Sequence, residues 1–217
     1  MPTATWDSLF DGRPELIRKM LFGSVFVKDY DPATSLATFS PFDATTGGLD
    51  ATALGTGWTD LGYLDESGVE FTPTFTTADT MAWQLRLPGR TDVTADNESA
   101  KIVCLQSDPA VEALYYNKPL ATAPTLGTSG YKITKDKTPN LIYRSALFIG
   151  VDGSGGSVQY AAKLYPMCLM TKPDKQSWQA KTENQFTMTL TPYWDSVAGF
   201  AIATWHDGPG WRAYATP

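Results

Sequence analysis

Two stretches far apart in the chain carry the same constraint. Residues 69–77 read Val-Glu-Phe-Thr-Pro-Thr-Phe-Thr-Thr, and residues 186–191 read Phe-Thr-Met-Thr-Leu-Thr. Alternation with a period of two places Thr72, Thr74 and Thr76 on one side of one strand, and Thr187, Thr189 and Thr191 on one side of another. Helical spacing would scatter those threonines around a cylinder, so both stretches are extended, and the branched Cβ of threonine favours the same conformation. Each strand therefore has a large apolar face that needs a packing partner and a hydroxyl face that does not.

Further strands follow from the same period. Residues 22–30 alternate Phe22, Ser24, Phe26 and Lys28 with Gly23, Val25, Val27 and Asp29, and Met81, Trp83, Leu85 and Leu87 alternate with Ala82, Gln84 and Arg86. Apolar runs at 100–106, 141–151, 158–170, 183–194 and 198–205 complete a set of about nine strands. The acid, serine and glycine of Asp65-Glu66-Ser67-Gly68 suit a hairpin reversal ahead of the first threonine strand, and Pro88-Gly89 and residues 92–99 read as turns. One convincing helix of about ten residues starts at Ser107 or Asp108, with Pro109 in its first turn and Val111, Leu114 and Tyr115 along one stripe. It is expected to lie across an open sheet face. Residues 14–20 could add a short helix with Pro14 at its start, or belong to an arm over residues 1–21 that orders against a neighbour. The fold class is all-β with one main helix.

At 217 residues the chain can bury a sizeable core, and β-sandwiches or barrels of this length are commonly one domain, here 1–217. Between the first strand and Gly57, residues 31–56 are rich in Thr, Ala, Gly, Pro and Asp without either period. A loop so long is uncommon unless functional. Phe39, Phe42, Leu49 and Leu54 are too apolar for a solvated linker, so the loop is read as an excursion docking on another subunit, against the alternative of a local aromatic tuck. A Gly-Pro-Gly bend at 208–210 releases a short tail, residues 206–217.

The net charge of −6 argues against adhesive binding to a polyphosphate, which needs clustered Lys and Arg. Cys104 and Cys168 lie in apolar runs, where free buried thiols are expected. No apolar secretory core is visible at the N-terminus and no run is long enough to span a membrane, so a protein made in a cytoplasm without a membrane partner is expected.

Signals for catalysis or cofactors are weak. Asp152-Gly153-Ser154-Gly155-Gly156 has the wrong order for a serine-protease signature and fails the nucleophile-elbow pattern, so it reads as a hairpin loop. His206 is the only histidine, read as a turn residue, and with two separated cysteines it cannot supply a zinc set. Oxygen-bearing groups at Asp60, Asp65 and Glu66, and at Asp92, Asp96, Asn97 and Glu98, lack the spacing of a calcium loop and read as solvated turns. No enzyme and no cofactor is expected. Trp58, Tyr63, Trp83, Trp178, Trp194, Trp205 and Trp211 leave one competing class, a monomeric β-sandwich carbohydrate-binding or adhesin module, although their dispersal favours core and interface positions.

The run from Gly55, Gly-Thr-Gly-Trp-Thr-Asp-Leu-Gly-Tyr-Leu-Asp-Glu-Ser-Gly-Val-Glu-Phe, resembles the tail tube (major tail) proteins of long-tailed bacteriophages, with the similarity closest to phages of actinobacteria. It extends through residues 91–96 and Ala113-Leu114-Tyr115-Tyr116. The resemblance implies a tail-tube-type β-sandwich or barrel whose strands join a continuous ring barrel on oligomerisation. It implies homohexameric rings stacked into a tube, tape-measure and tail-terminator or tip proteins as partners, double-stranded DNA as a cargo that does not adhere, and a place in the virion tail after assembly in the host cytoplasm. Under it, Thr72, Thr74, Thr76, Thr187, Thr189 and Thr191 are candidates for the channel lining. Phe39, Phe42, Leu49 and Leu54 are candidates for inter-subunit contacts.

Overall fold

A computed structural model describes residues 10, 12–84, 86–127, 130–138 and 140–215. Among them the strands are β1 Phe22–Asp29, β2 Thr59–Asp60, β3 Leu64–Met81, β4 Pro88–Cys104, β5 Arg144–Asp152, β6 Gln159–Pro173, β7 Phe186–Pro192 and β8 Ala203–Asp207. The α-helices are α1 Ala51–Gly55, α2 Pro109–Tyr115 and α3 Pro209–Arg212. Every strand pairing is antiparallel, in one sheet ordered β2-β1-β5-β6-β7-β4-β3, with β8 beside β6.

Strand β6 turns this sheet back over itself. Its first half lies between β5 and β8, pairing Leu164 with Leu147 and with Ala203, while Cys168 to Pro173 pair with β7. Pro166 sits where the β5–β6 register slips, between Arg144/Cys168 and Ala146/Tyr165. Proline cannot donate to a ladder and is tolerated at such an irregularity. Its carbonyl accepts the buried Ser145 hydroxyl at 2.7 Å. The two layers enclose a core of Val25, Val27, Ala146, Phe148, Tyr165, Ile102, Phe186, Met188 and Leu190, closed at one end by Val111 and Leu114 of α2. Helix α2 starts where expected but spans seven residues rather than about ten: Asp108 caps it by accepting from the Ala110 amide at 2.8 Å, and Pro109 occupies the first turn.

Strand β5 is buried on both faces. Ala146 and Phe148 point into the core just described, whereas Leu147 and Ile149 join Ala162 and Leu164 in a second cluster on the other side. What covers that side is the loop 31–56. Leu36 and Phe42 are each 5% exposed within this cluster, and Phe39, Leu54 and Trp58 pack against it. Phe42 stacks on Tyr160 and pairs its backbone with Leu49. Helix α1, capped by Asp50 accepting from the Thr52 and Ala53 amides, sets Leu54 in place.

Several sequence-based expectations are corrected here. Residues 65–68 do not reverse the chain. They form a blister inside β3, where the chain takes five steps from Leu64 to Val69 while β4 takes two from Cys104 to Ile102. Asp65 accepts from the Ser67 amide and hydroxyl there, and Gly68 has φ +69°, so the turn chemistry is satisfied without a hairpin. The reversal lies instead between Met81 and Pro88, within the stretch expected to be a strand, of which Leu85 lies outside the described residues, and residues 92–99, expected to be a turn, belong to β4. Among the described residues eight strands result rather than about nine. Of residues 14–20 only Pro14–Leu16 turn, as 3-10 helix, and residues 1–9 and 11 of the expected arm lie outside the described residues. His206 lies in β8 opposite Ala161 rather than in a turn.

The C-terminal segment is folded back rather than released. A side chain at Gly210 would bring Cβ to 2.2 Å from the Ser157 carbonyl oxygen, so the bend fits against the β5–β6 turn only as glycine. Arg212 then donates to Asp207 through Nε at 2.7 Å and Nη2 at 2.8 Å, and to the carbonyls of Ala44 and Thr45. Both cysteines are free and buried, and burial pushes each thiol up to about 12. Among the described residues no helix is long and apolar enough to cross a membrane.

Two predictions follow from this packing. Phe42→Ala is expected to cost about 3–5 kcal/mol in chemical denaturation, the usual range for emptying a buried aromatic site; a loss near zero would mean the loop does not seal the second cluster. Hydrogen bonds from Arg212 hold the Asp207 carboxyl below its ordinary value. The stability this group contributes is complete above the ordinary Asp range and is lost as pH falls through the depressed folded value. Arg212→Gln should flatten that acid limb in thermal melts taken across pH 2–5.

Candidate functional site

The two threonine strands meet through β4. In register, β4 sets Ser99 beside Thr72 and Asn97 beside Thr74 on one flank, and Lys101 beside Thr189 and Val103 beside Thr187 on the other. Paired residues share a face, so Thr72, Thr74, Thr76, Thr187, Thr189 and Thr191 all stand on the outward side of one three-stranded surface. Strand β7 alternates buried Phe186, Met188 and Leu190 with half-buried threonines, and in β3 Thr72, Thr74 and Thr76 are exposed. Thr171 extends the surface onto β6, its hydroxyl 2.9 Å from that of Thr191. On this face Glu70 and Lys101 oppose each other at 3.8 Å, and Lys172 of β6 stands in register with Thr189. The surface is rich in hydroxyls.

Beyond this surface β3 and β4 leave the body as a two-stranded ribbon. Strand β7 pairs with β4 only from Ala100 to Cys104, and β3 is an edge strand, so from Thr74 to Met81 the ribbon has two free edges and two exposed faces. At the strand rise it projects about 25 Å. Phe75 and Val93 along it are 65% and 58% exposed, and Trp83 at its tip is 99% exposed. Exposed backbone edges with this much apolar surface mark a site of association.

A polar clamp fixes the root of the ribbon. Glu98, opposite Pro73 in the hairpin, accepts from Lys163 Nζ at 2.8 and 2.9 Å and from the Tyr165 hydroxyl at 2.5 Å. The Lys163 ammonium also lies 4.1 Å from the Phe71 ring centroid, and Phe71 meets Phe148 edge to face. Burial, then the bond to Glu98, raises the Tyr165 pKa and keeps its hydroxyl a donor. Nothing in the local sequence marks Glu98 for this role, because its partners lie 65 and 67 residues away.

The model of a family described as phage tail tube protein covers residues 21–207. The chain belongs to that family. Its role is therefore structural, in the tail of a phage virion, and the β-rich architecture agrees with the family. Comparison with curated proteins gave no match.

Within this family frame the other sequence candidates take definite places. Phe42 is buried inside its own subunit, Phe39 and Leu54 pack on the same cluster, and Phe39 contacts the Trp58 ring at 5.7 Å. Leu49 is 39% exposed, at the loop surface. The Asp152–Ser157 segment is the β5–β6 turn. Glu98→Ala is expected to cost about 1–3 kcal/mol, as for removal of a partner from a charged hydrogen-bonded group, and to speed amide exchange at residues 71–75. Thr80→Ala, farther out, should leave both unchanged; equal effects would show that Glu98 does not anchor the ribbon.

Proposed function

We propose that copies of this chain close into rings of six, that the rings stack into the tail tube, and that the threonine surface lines the bore through which the genome passes. The observation that carries this reading is that two threonine strands more than 100 residues apart in sequence share one outward face through β4. Lateral pairing of the free ribbon edges with neighbours removes those edges, which is what closing a barrel achieves. A wall of hydroxyls and amides, on which Lys101 is matched by Glu70 and Lys172 adds a single further cation, gives DNA no cluster of bases to hold, and each subunit adds a net charge of −6. Double-stranded DNA is then a cargo that does not adhere.

The loop 31–56 takes a double part in this reading. Phe39, Phe42 and Leu54 hold its shape from within, and its outer surface, with Leu49, contacts the next subunit. Tape-measure and terminator or tip proteins bound the tube's length, and assembly takes place in the host cytoplasm. Negative-stain microscopy of concentrated purified protein is expected to show hollow filaments; a chain that stays monomeric under crowding would refute the reading. Thr74→Lys and Thr189→Lys are expected to fold and assemble but to slow genome delivery, read as ejection kinetics from reconstituted virions. Unaltered kinetics in both would remove these residues from the bore.

A further inference from the structure

A groove of about 810 Å³ opens at the root of the ribbon, between the start of β1 and the blister of β3. Leu21, Phe22, Phe71 and Phe148 are among the apolar residues that line it. Its rim is acidic, with Asp60, Asp65 and Glu66. Asp60 accepts from the Gly62 amide and Asp65 from the Ser67 amide and hydroxyl. The basic side chains among its lining residues are Lys163, already engaged by Glu98, and His206.

The ribbon tip has the complementary character. Trp83 and Leu87 are 99% and 75% exposed, and Arg86 and Arg90 flank them. Arg90 pairs with Asp92 at 2.7 Å, leaving Arg86 as the principal cation beside the indole. A ribbon that projects about 25 Å carries its tip away from the groove at its own root. The occupant that fits is therefore a second copy.

We propose that the ribbon tip of one subunit seats Trp83 and Leu87 in the root groove of a neighbouring subunit, with Arg86 facing Asp65 and Glu66. The inference rests on the tube reading and names one contact within it. Tip and groove are different surfaces, so the contact is head-to-tail and propagates from copy to copy, either around a ring or along a stack. An exposed aromatic anchor with an adjacent arginine entering a desolvated apolar groove is the arrangement expected of an interface hot spot.

The test uses the full chain. Trp83→Ala, at a nearly fully exposed position, should keep the wild-type melting temperature and circular dichroism but lower pelletable filament yield at least tenfold. Arg86→Glu and Glu66→Arg should each impair assembly, and the double variant should recover it. With Cys104 and Cys168 buried, Trp83→Cys combined with Thr204→Cys should give disulfide-linked multimers on non-reducing gels. Wild-type filaments together with normal Trp83→Ala filaments, failed charge-swap recovery, or cross-links only within single chains would overturn the docking contact and leave the tube reading intact. Wild-type protein that never assembles would overturn both.

Discussion

Strand β5 must be kept dry on two sides at once. Its residues 144–149 are buried without the alternation of a surface strand, because Ala146 and Phe148 face one cluster while Leu147 and Ile149 face another. Strands covered on both faces read as continuous apolar runs. One face is covered by folding the same sheet over at β6. For the other no second sheet exists among the described residues, and the 31–56 loop supplies the cover through Leu36, Phe39, Phe42 and Leu54. Arg212 then ties that loop to the C-terminal helix through the carbonyls of Ala44 and Thr45 and through Asp207. The loop's length thus has a cause inside the subunit before any neighbour is considered.

The opposite margin of the sheet is built on a different rule. Where β7 ends, β3 and β4 continue without a partner, and an isolated two-stranded ribbon has little to hold it in water. Its direction depends on the root, where the Glu98 carboxylate gathers Lys163 and Tyr165 and the Lys163 ammonium rests on Phe71. A charged group at 16% exposure, matched by a cation and a hydroxyl, has its desolvation offset by good geometry. The body is therefore closed by apolar packing and the ribbon oriented by a polar clamp. That division suits a subunit in a phage tail tube family, which needs a rigid core and edges available to copies of itself.

Much of this was legible in the residues. The threonine alternation of β3 and β7, the Asp108-Pro109 start of α2, the buried state of both cysteines and the family resemblance all held. Misreadings share a physical origin. Asp65-Glu66-Ser67-Gly68 has the composition of a reversal, and locally it does form a side-chain-satisfied turn, but a blister absorbs it because the partner of β3 comes later in the chain. Met81 to Leu87 alternates like a strand yet lies at the tip, where an alternating apolar pattern has no core to face. Residues 92–99 are polar on both sides because the ribbon is wet on both sides, and that composition is the same one a turn would have.

By itself, the sequence determined which faces of β3 and β7 are apolar and where α2 begins, because periodicity and capping act between near neighbours. It also set the acidic charge and the scarcity of catalytic groups, which need no fold to count. Only the tertiary structure decided that the two threonine faces join through β4, that the loop covers β5, and that Glu98 finds Lys163. Those pairings depend on strand order and register, which arise from contacts between residues far apart along the chain, and no local pattern encodes them.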